Sequence, residues 1–188
     1  MNSWNNTSQN QNELSGRVIW ITGLSCTGKS SIASELAIKF SAIGITPVII
    51  DGDQIRNLLP VQLGYTIEDR RQLASFYSKL SRELSQQGHL VICATISLFK
   101  TIQEWNRENI PGYFEVWLRA PLEELRKRDQ KHLYPDLNSH NNPKIVGLGI
   151  TAEFPVAADL EIDNHGEMTA NASAELIFST LLNKTHES

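Results

Sequence analysis

The sequence contains only two cysteines, no long apolar run and no excess of basic residues. Cys26 and Cys93 are too few and too far apart for a disulfide framework or a cysteine metal site, so we expect reduced thiols and a cytoplasmic protein. No run approaches the roughly 18 apolar residues of a membrane span, and the polar N-terminus lacks the pattern of a signal peptide. We therefore expect no membrane partner.

The charge balance points to a small-molecule partner. The chain has 17 Lys and Arg against 21 Asp and Glu, a formal net charge of -4. This balance argues against a nucleic-acid partner, while a local cationic pocket for a small anion stays compatible with it.

Length and composition predict one domain preceded by a tail. Residues 1–14 are mainly Asn, Gln, Ser and Thr, which offer too little apolar surface to offset the entropy of ordering. We predict a disordered polar tail over 1–14 and a single domain over 15–188. Apolar residues make up 40% of the whole chain, which is enough to form the core of one domain.

Short apolar runs alternate with longer amphipathic segments from residue 17 onward. This alternation predicts an α/β fold with a five-stranded, mainly parallel sheet and helices on both faces. The predicted strands are residues 17–22, 47–51, 89–95, 113–118 and 158–162, and the predicted helices are residues 29–42, 67–87, 100–108, 121–131 and 167–182.

One long segment has no clear period. Residues 132–155 contain three prolines and two glycines, and a loop of this length in a compact domain is usually functional. We predict a mobile lid.

The segment "GLSCTGKS" has the spacing G-x-x-x-x-G-K-S at Gly23, Gly28, Lys29 and Ser30, between a predicted strand and a predicted helix. This context identifies a P-loop, whose backbone N–H groups surround the phosphates of a nucleotide. Lys29 is expected to reach the β- and γ-phosphates of ATP, and Ser30 to bind Mg²⁺. The predicted ATP-binding residues are Gly23, Leu24, Ser25, Cys26, Thr27, Gly28, Lys29, Ser30 and Ser31.

Two carboxylates follow the second predicted strand. Asp51 and Asp53 lie at its carboxyl end, the edge where ligands bind in open parallel sheets. One of them can hold Mg²⁺ and the other can orient or deprotonate an acceptor hydroxyl. The alternative is a turn with a helix cap.

Basic residues near this edge are candidates for anion binding. Arg56 and Arg70 suit phosphate or sulfate because a guanidinium donates paired hydrogen bonds. Arg128 and Lys131 stand beside the predicted lid, where nucleotide contact is the functional interpretation. Solvated surface charges are the alternative for all four residues.

These segments resemble the adenylylsulfate kinase family over residues 15–164. The likeness is carried by "GLSCTGKSS", "DGDQIR", "LGYTIEDR", "ATIS", "RDQKHLY" and "EFP". It implies a P-loop kinase fold, the cofactors ATP and Mg²⁺, and phosphorylation of the 3′-hydroxyl of adenosine 5′-phosphosulfate in sulfate activation.

The resemblance also implies residue roles. Asp51 with Ser30 would hold the metal and Asp53 would orient the acceptor, with Lys29 and Ser97 as further catalytic residues. Acceptor contacts would come from Asp53, Arg56, Tyr65, Arg70, Ile96, Ser97, Lys131 and Ile145, and a nucleotide contact from Arg128. For Ser97, a helix N-cap is an equal alternative.

The departures from the family fall in the acceptor pocket. The family stacks the acceptor adenine between two phenylalanines, whereas this chain has Tyr65 at one position and Ile145 at the other. Leu73 and Pro60 replace family asparagines, and His132 replaces a glycine.

Three functions follow from this mixture. The first is an adenylylsulfate kinase, the second is a kinase for another activated nucleotide such as cytidine diphosphoramidate in surface-polysaccharide synthesis, and the third is a non-catalytic nucleotide-binding module. A homodimer is left open.

Overall fold

The computed structural model describes residues 13–129, 133–134 and 145–186. Within these residues, five strands form one sheet: β1 (Arg17–Thr22), β2 (Val48–Asp51), β3 (Val91–Ala94), β4 (Gly112–Arg119) and β5 (Leu160–Asp163). The strand order is β2-β3-β1-β4-β5, and each neighbouring pair is parallel. The predicted α/β fold is confirmed, with a described sheet that is parallel throughout and not only mainly so.

The described helices are α1 (Lys29–Ala42), α2 (Gly52–Leu58), α3 (Ile67–Gln86), α4 (Lys100–Asn109), α5 (Leu122–Lys127) and α6 (Ala170–His186). Helix α2 is missing from the predicted helices because its seven residues bury no side chain and so show no apolar period. Helix α5 is shorter than predicted: Pro121 is its N-cap and Arg128 its C-cap.

Helices cover both faces of the sheet. On one face, alternate strand residues such as Ile19, Ile21 and Val116 pack with buried residues of α1 and α6, including Leu36 and Ile177. The other face carries a second cluster, formed by Val18, Trp20, Val91 and Cys93 with Leu73, Tyr77 and Ile102 of α3 and α4. Burial on both sides explains why the strand sequences are almost continuously apolar.

Two predicted segments contain buried residues that the sequence does not reveal. Leu14, assigned to the polar tail, is fully buried in the cluster that contains Ile19. In the predicted lid, Ile145, Val146 and Ile150 are buried, because a tight turn returns the chain onto itself with Gly147 donating to the Ile150 carbonyl at 2.8 Å. This segment therefore contributes apolar packing that its sequence period does not reveal, and its motion as a lid stays a prediction.

Both cysteines are free thiols, and Cys93 is buried in β3. Among the described helices, none is both long enough and apolar enough to cross a bilayer.

Candidate active site

The segment Gly23–Ser30 runs from the end of the central strand β1 into the first turn of α1, and three of its residues have positive φ angles. Gly23 and Gly28 have φ angles of 154° and 92°, and a Cβ at these positions would lie 2.6 Å from the Leu118 carbonyl oxygen and 2.8 Å from Asn164 Nδ2. Only glycine therefore fits either position without rearrangement. Cys26 is also left-handed, with φ 63°, a conformation that is unfavourable for a side chain with a Cβ.

The side chain of Lys29 lies inside this loop. Its Nζ donates to the carbonyl oxygen of Gly23 at 3.0 Å and to that of Leu24 at 2.6 Å. Thr27 stabilises the same turn through a 2.9 Å bond from its hydroxyl to Leu24 O. The Lys29 ammonium, predicted to face phosphate, is thus held by loop carbonyls in this structure. Ser31, the last of the predicted ATP-binding residues, is exposed on the first turn of α1.

Ser30 and Asp51 lie in contact at the carboxyl end of the sheet. The Ser30 hydroxyl donates to Asp51 Oδ2 at 2.5 Å, while Asp51 Oδ1 accepts the N–H groups of Asp53 and Gln54 at 3.0 and 3.1 Å. Asp51 is therefore the N-cap of α2. The helix cap is therefore present, but it uses only Oδ1 and leaves Oδ2 directed at Ser30, so the metal role of Asp51 stays a prediction.

This pair has the chemistry of a magnesium site, because hydroxyl and carboxylate oxygens are the ligands that Mg²⁺ prefers. Within the described ranges, no group of three or more His, Cys, Asp or Glu side chains could hold a metal by itself. The two oxygens fit an ion that completes its shell with phosphate and water.

The segment after β2 gathers Arg56, Tyr65 and Arg70. The guanidinium carbon of Arg56 lies 4.2 Å from the centre of the Tyr65 ring, and that of Arg70 lies 5.5 Å from it. Arg56 also donates to the Leu63 carbonyl at 2.7 Å and to that of Gly64. Both arginines are only partly exposed, which favours a role in binding over the alternative of fully solvated surface charges, and that role stays a prediction.

The charge of this cluster favours an anion. Burial lowers the pKa of Arg70, and the neighbouring Arg56 charge lowers it further, partly offset by Tyr65 and Asp53. An anion between the two guanidiniums would relieve their repulsion. Asp53, which acts on the Arg70 pKa, is exposed in the first turn of α2.

Ile96 and Ser97 follow β3 at the same edge. The Ile96 carbonyl accepts the Thr22 hydroxyl at 2.5 Å, and the buried Ser97 hydroxyl lies 2.8 Å from Thr95 Oγ1. Helix α4 begins at Lys100 with Phe99 as its N-cap, so the cap alternative for Ser97 is wrong. Ser97 instead has φ 29°, a left-handed conformation that is unfavourable for serine.

Ile145 does not line an open pocket. Its side chain is 5% exposed and belongs to an apolar cluster with Leu125 and Tyr134, against which Leu24 and Cys26 pack. Tyr65, its predicted partner around the acceptor base, is 52% exposed. The two residues therefore lie in different surroundings: Ile145 packs on the P-loop, whereas Tyr65 is exposed to solvent.

Of the remaining predicted contacts, the structure describes Arg128 but not Lys131. Arg128 donates from Nη1 to the Asn164 carbonyl at 2.8 Å, which brings it to the end of β5. Lys131 and His132 lie outside the described residues.

Three residues that the sequence pattern does not single out also contact the site. Asn164 Nδ2 donates to the Thr27 carbonyl at 2.7 Å, Tyr134 OH to that of Ser25 at 2.9 Å, and Tyr77 OH to that of Gly52 at 2.6 Å. Asn164 follows β5 directly, so the rule that selects Asp51 could have found it. The two tyrosines carry no comparable signal, since an aromatic residue at a core position does not reveal where its hydroxyl points.

Comparison with known proteins identifies relatives over most of the chain. The family model described as adenylylsulphate kinase matches residues 15–163. A cytidine diphosphoramidate kinase of Campylobacter jejuni is 33% identical over 164 residues, which cover 87% of this chain and 95% of that protein. A probable adenylyl-sulfate kinase of Halalkalibacterium halodurans is 34% identical over 179 residues, 92% of this chain and 86% of that one.

A solved structure has the same fold. The Mycobacterium tuberculosis APS kinase in complex with AMPPNP and APS has a TM-score of 0.78 at 28% identity, covering 89% of this chain and 98% of that one.

Proposed function

Because the chain belongs to the adenylylsulphate kinase family, we propose that it transfers the terminal phosphoryl group of ATP to the 3′-hydroxyl of adenosine 5′-phosphosulfate. The family makes it a phosphotransferase with an alcohol acceptor, which argues against the non-catalytic alternative. The contact of Ser30 with Asp51, beside the Arg56–Tyr65–Arg70 cluster, is the observation that carries the proposal. It supports a phosphate site and an anion site at one edge of the sheet.

The P-loop residues bind ATP in this proposal. Backbone N–H groups of the loop and the first turn of α1 would contact the phosphates, and Lys29 would leave the Gly23 and Leu24 carbonyls for the phosphate oxygens. Arg128, held at the Asn164 carbonyl, is proposed as a further nucleotide contact. The AMPPNP in the related Mycobacterium tuberculosis structure supports ATP use.

Ser30 and Asp51 would hold Mg²⁺. When bound, the ion would neutralise the negative charge that develops on the phosphate oxygens during transfer. The cap bonds from Asp53 and Gln54 fix the Asp51 carboxylate, so that its orientation does not depend on the metal. The buried Tyr77 supports the same turn through the Gly52 carbonyl.

Asp53 would orient the acceptor hydroxyl and accept its proton. This carboxylate is exposed on α2, two residues after the proposed metal ligand. Arg56 and Arg70 would bind the acceptor's phosphate and sulfate oxygens, and Tyr65 would stack on its base. Ile96, Ser97 and Lys131 are proposed acceptor contacts on the strength of the family resemblance alone.

Cytidine diphosphoramidate is a second candidate acceptor. Ile145 has no aromatic ring and is buried beside the P-loop, so Tyr65 lacks the second ring that the family uses for adenine, which favours a different base. The related Campylobacter jejuni enzyme is named for this acceptor. Both candidates are anionic nucleotides, so the arginine cluster fits either.

Turnover of the two acceptors tests the proposal. We would incubate the purified chain with ATP and Mg²⁺ plus either acceptor, measure ADP formation, and identify the phosphorylated product by mass spectrometry. Lys29→Ala is the matched inactive control, because it removes a loop ammonium and no core side chain. Faster phosphorylation of adenosine 5′-phosphosulfate supports the first assignment. Faster phosphorylation of cytidine diphosphoramidate would replace it, and ADP formation equal to that of Lys29→Ala with both acceptors would refute both.

A further inference from the structure

We propose that Asn164 is a positioning residue for the P-loop, whose side chain fixes the peptide between Thr27 and Gly28. The inference rests on the proposed ATP-binding role of the loop. Asn164 is the first residue after β5 and is 4% exposed, so its polar groups need partners within the protein.

Each of its polar groups has one. The backbone N–H donates to the Arg119 carbonyl at 2.8 Å, and the backbone carbonyl accepts Arg128 Nη1 at 2.8 Å. In the side chain, Oδ1 accepts the Ser173 hydroxyl at 2.9 Å and Nδ2 donates to the Thr27 carbonyl at 2.7 Å. One residue thus joins the end of β4, helix α6, the P-loop and a proposed nucleotide contact.

The chemistry of the partners fixes the orientation of the amide. The Thr27 carbonyl can only accept a hydrogen bond, so the NH₂ group must face it. The Ser173 hydroxyl then donates to the remaining oxygen. A flipped amide would place two carbonyl oxygens against each other at the P-loop.

This anchor determines where a loop N–H points. In a trans peptide the carbonyl and the following N–H point in opposite directions, and no described peptide bond is cis. With the Thr27 carbonyl directed at Asn164, the Gly28 N–H points away from Asn164. Backbone N–H groups of this motif bind phosphate, so the Asn164 bond orients one of them before the nucleotide arrives.

Gly28 and Asn164 are complementary in shape. A Cβ on Gly28 would lie 2.8 Å from Asn164 Nδ2, so the absent side chain is what allows the amide to reach the loop. An oriented loop binds ATP without the cost of ordering the peptide. The contact therefore acts on nucleotide affinity.

Direct binding of MgADP tests this role. We expect Asn164→Ala and Asn164→Asp each to raise the dissociation constant for MgADP about tenfold in isothermal titration calorimetry below the unfolding temperature. Aspartate keeps the size of the side chain and can accept from Ser173, but it has no hydrogen for the Thr27 carbonyl. Ser173→Ala, which leaves the Thr27 bond in place, should raise the constant only about threefold.

Asn106→Ala is the matched control. Asn106 is a fully buried asparagine on α4 that donates to Tyr113 OH at 3.4 Å, so its loss should lower the unfolding temperature and leave MgADP affinity within about twofold of wild type. Wild-type affinity in both Asn164 variants, or an equal loss in Asn106→Ala, would overturn the inference. MgADP binding needs no acceptor, so a wrong acceptor assignment leaves the result unaffected. Absence of MgADP binding to the wild-type chain would overturn the proposed function and the inference together.

Discussion

The Ser30 hydroxyl donates a hydrogen bond to the Asp51 carboxylate, and this contact joins the first turn of α1 to the cap of α2. Asp51 uses its other oxygen for the backbone N–H groups of Asp53 and Gln54. A single carboxylate therefore supports a helix and faces the P-loop. The two functions can be separated by substitutions that keep the cap.

Asp51→Asn should lower the rate far more than it lowers stability. The asparagine oxygen can still cap α2, whereas the charge that would hold Mg²⁺ is lost. We expect kcat to fall at least about a hundredfold, with MgADP affinity changed much less. Asp51→Ala is the comparison: it should also lose about 1 kcal/mol of stability, because the cap disappears.

Asp53→Asn should lower kcat by a similar factor with little change in the unfolding temperature, because Asp53 is exposed and the N-cap of α2 is Asp51. Kinetics and thermal unfolding of the two Asp→Asn variants together provide the check. Parallel losses of MgADP affinity and rate in these variants would contradict the assigned roles.

Replacement of Tyr65 should affect acceptor binding. Stacking of one base on an aromatic ring is worth about 1–3 kcal/mol, so Tyr65→Ala should raise the acceptor KM about five- to 150-fold, and Tyr65→Phe should change it little. The KM for ATP should not change, since Tyr65 contacts Arg56 and Arg70 rather than the P-loop. Equal acceptor KM values for the alanine and phenylalanine variants would remove Tyr65 from the acceptor site.

Ile145→Phe should destabilise the protein. From the resemblance alone, the added ring would restore the second face of an adenine sandwich. The structure predicts overpacking, because Ile145 is 5% exposed among Leu125 and Tyr134. We expect a loss of about 1–3 kcal/mol and no lower KM for adenosine 5′-phosphosulfate, with Ile145→Leu as the volume-conserving control. A tenfold lower KM at unchanged stability would show that Ile145 faces the acceptor.

The predicted lid should respond to the acceptor. Residues 145–150 pack on the P-loop through Leu24, whose Cδ2 lies 2.7 Å from where a Cβ of Gly147 would be. Hydrogen exchange over residues 145–155 should be slower with MgADP and acceptor than with MgADP alone, because closure buries more of this segment. Identical exchange in the two complexes would mean that this part of the segment is a fixed wall.

Glu115 should make stability depend on pH. Burial raises the pKa of Glu115 above its usual 4.5, against the lowering effects of Tyr113 and Arg107. The folded state thus holds the proton more tightly than the unfolded chain, so the stabilisation is present below about pH 4.5 and is lost as the pH rises through the native pKa.

Glu115→Gln cannot ionise and should lack this loss. The difference between its unfolding temperature and that of wild type should therefore increase in favour of the variant as the pH rises from 4 to 7. Glu108 is an exposed glutamate on α4. Glu108→Gln is therefore the control and should keep the wild-type pH dependence of stability. A constant difference between Glu115→Gln and wild type across this range would contradict the assignment.

The sequence determined the features that depend on local pattern. The apolar runs located the five strands to within two residues at each end, because a strand buried on both faces is apolar throughout. The spacing of Gly23, Gly28, Lys29 and Ser30 identified the P-loop, because only glycine fits two of its backbone positions. Local pattern also placed Asp51 and Asp53 at the carboxyl end of β2.

Tertiary structure decided the contacts that join distant segments. The bond from Asn164 to Thr27 spans 137 positions, and that from Tyr134 to Ser25 spans 109, so no local period reports them. The burial of Ile145 likewise results from a turn that folds onto the P-loop. Motif spacing fixes which chemistry the chain carries, whereas the positions of these supporting side chains depend on how elements remote in sequence pack around that motif.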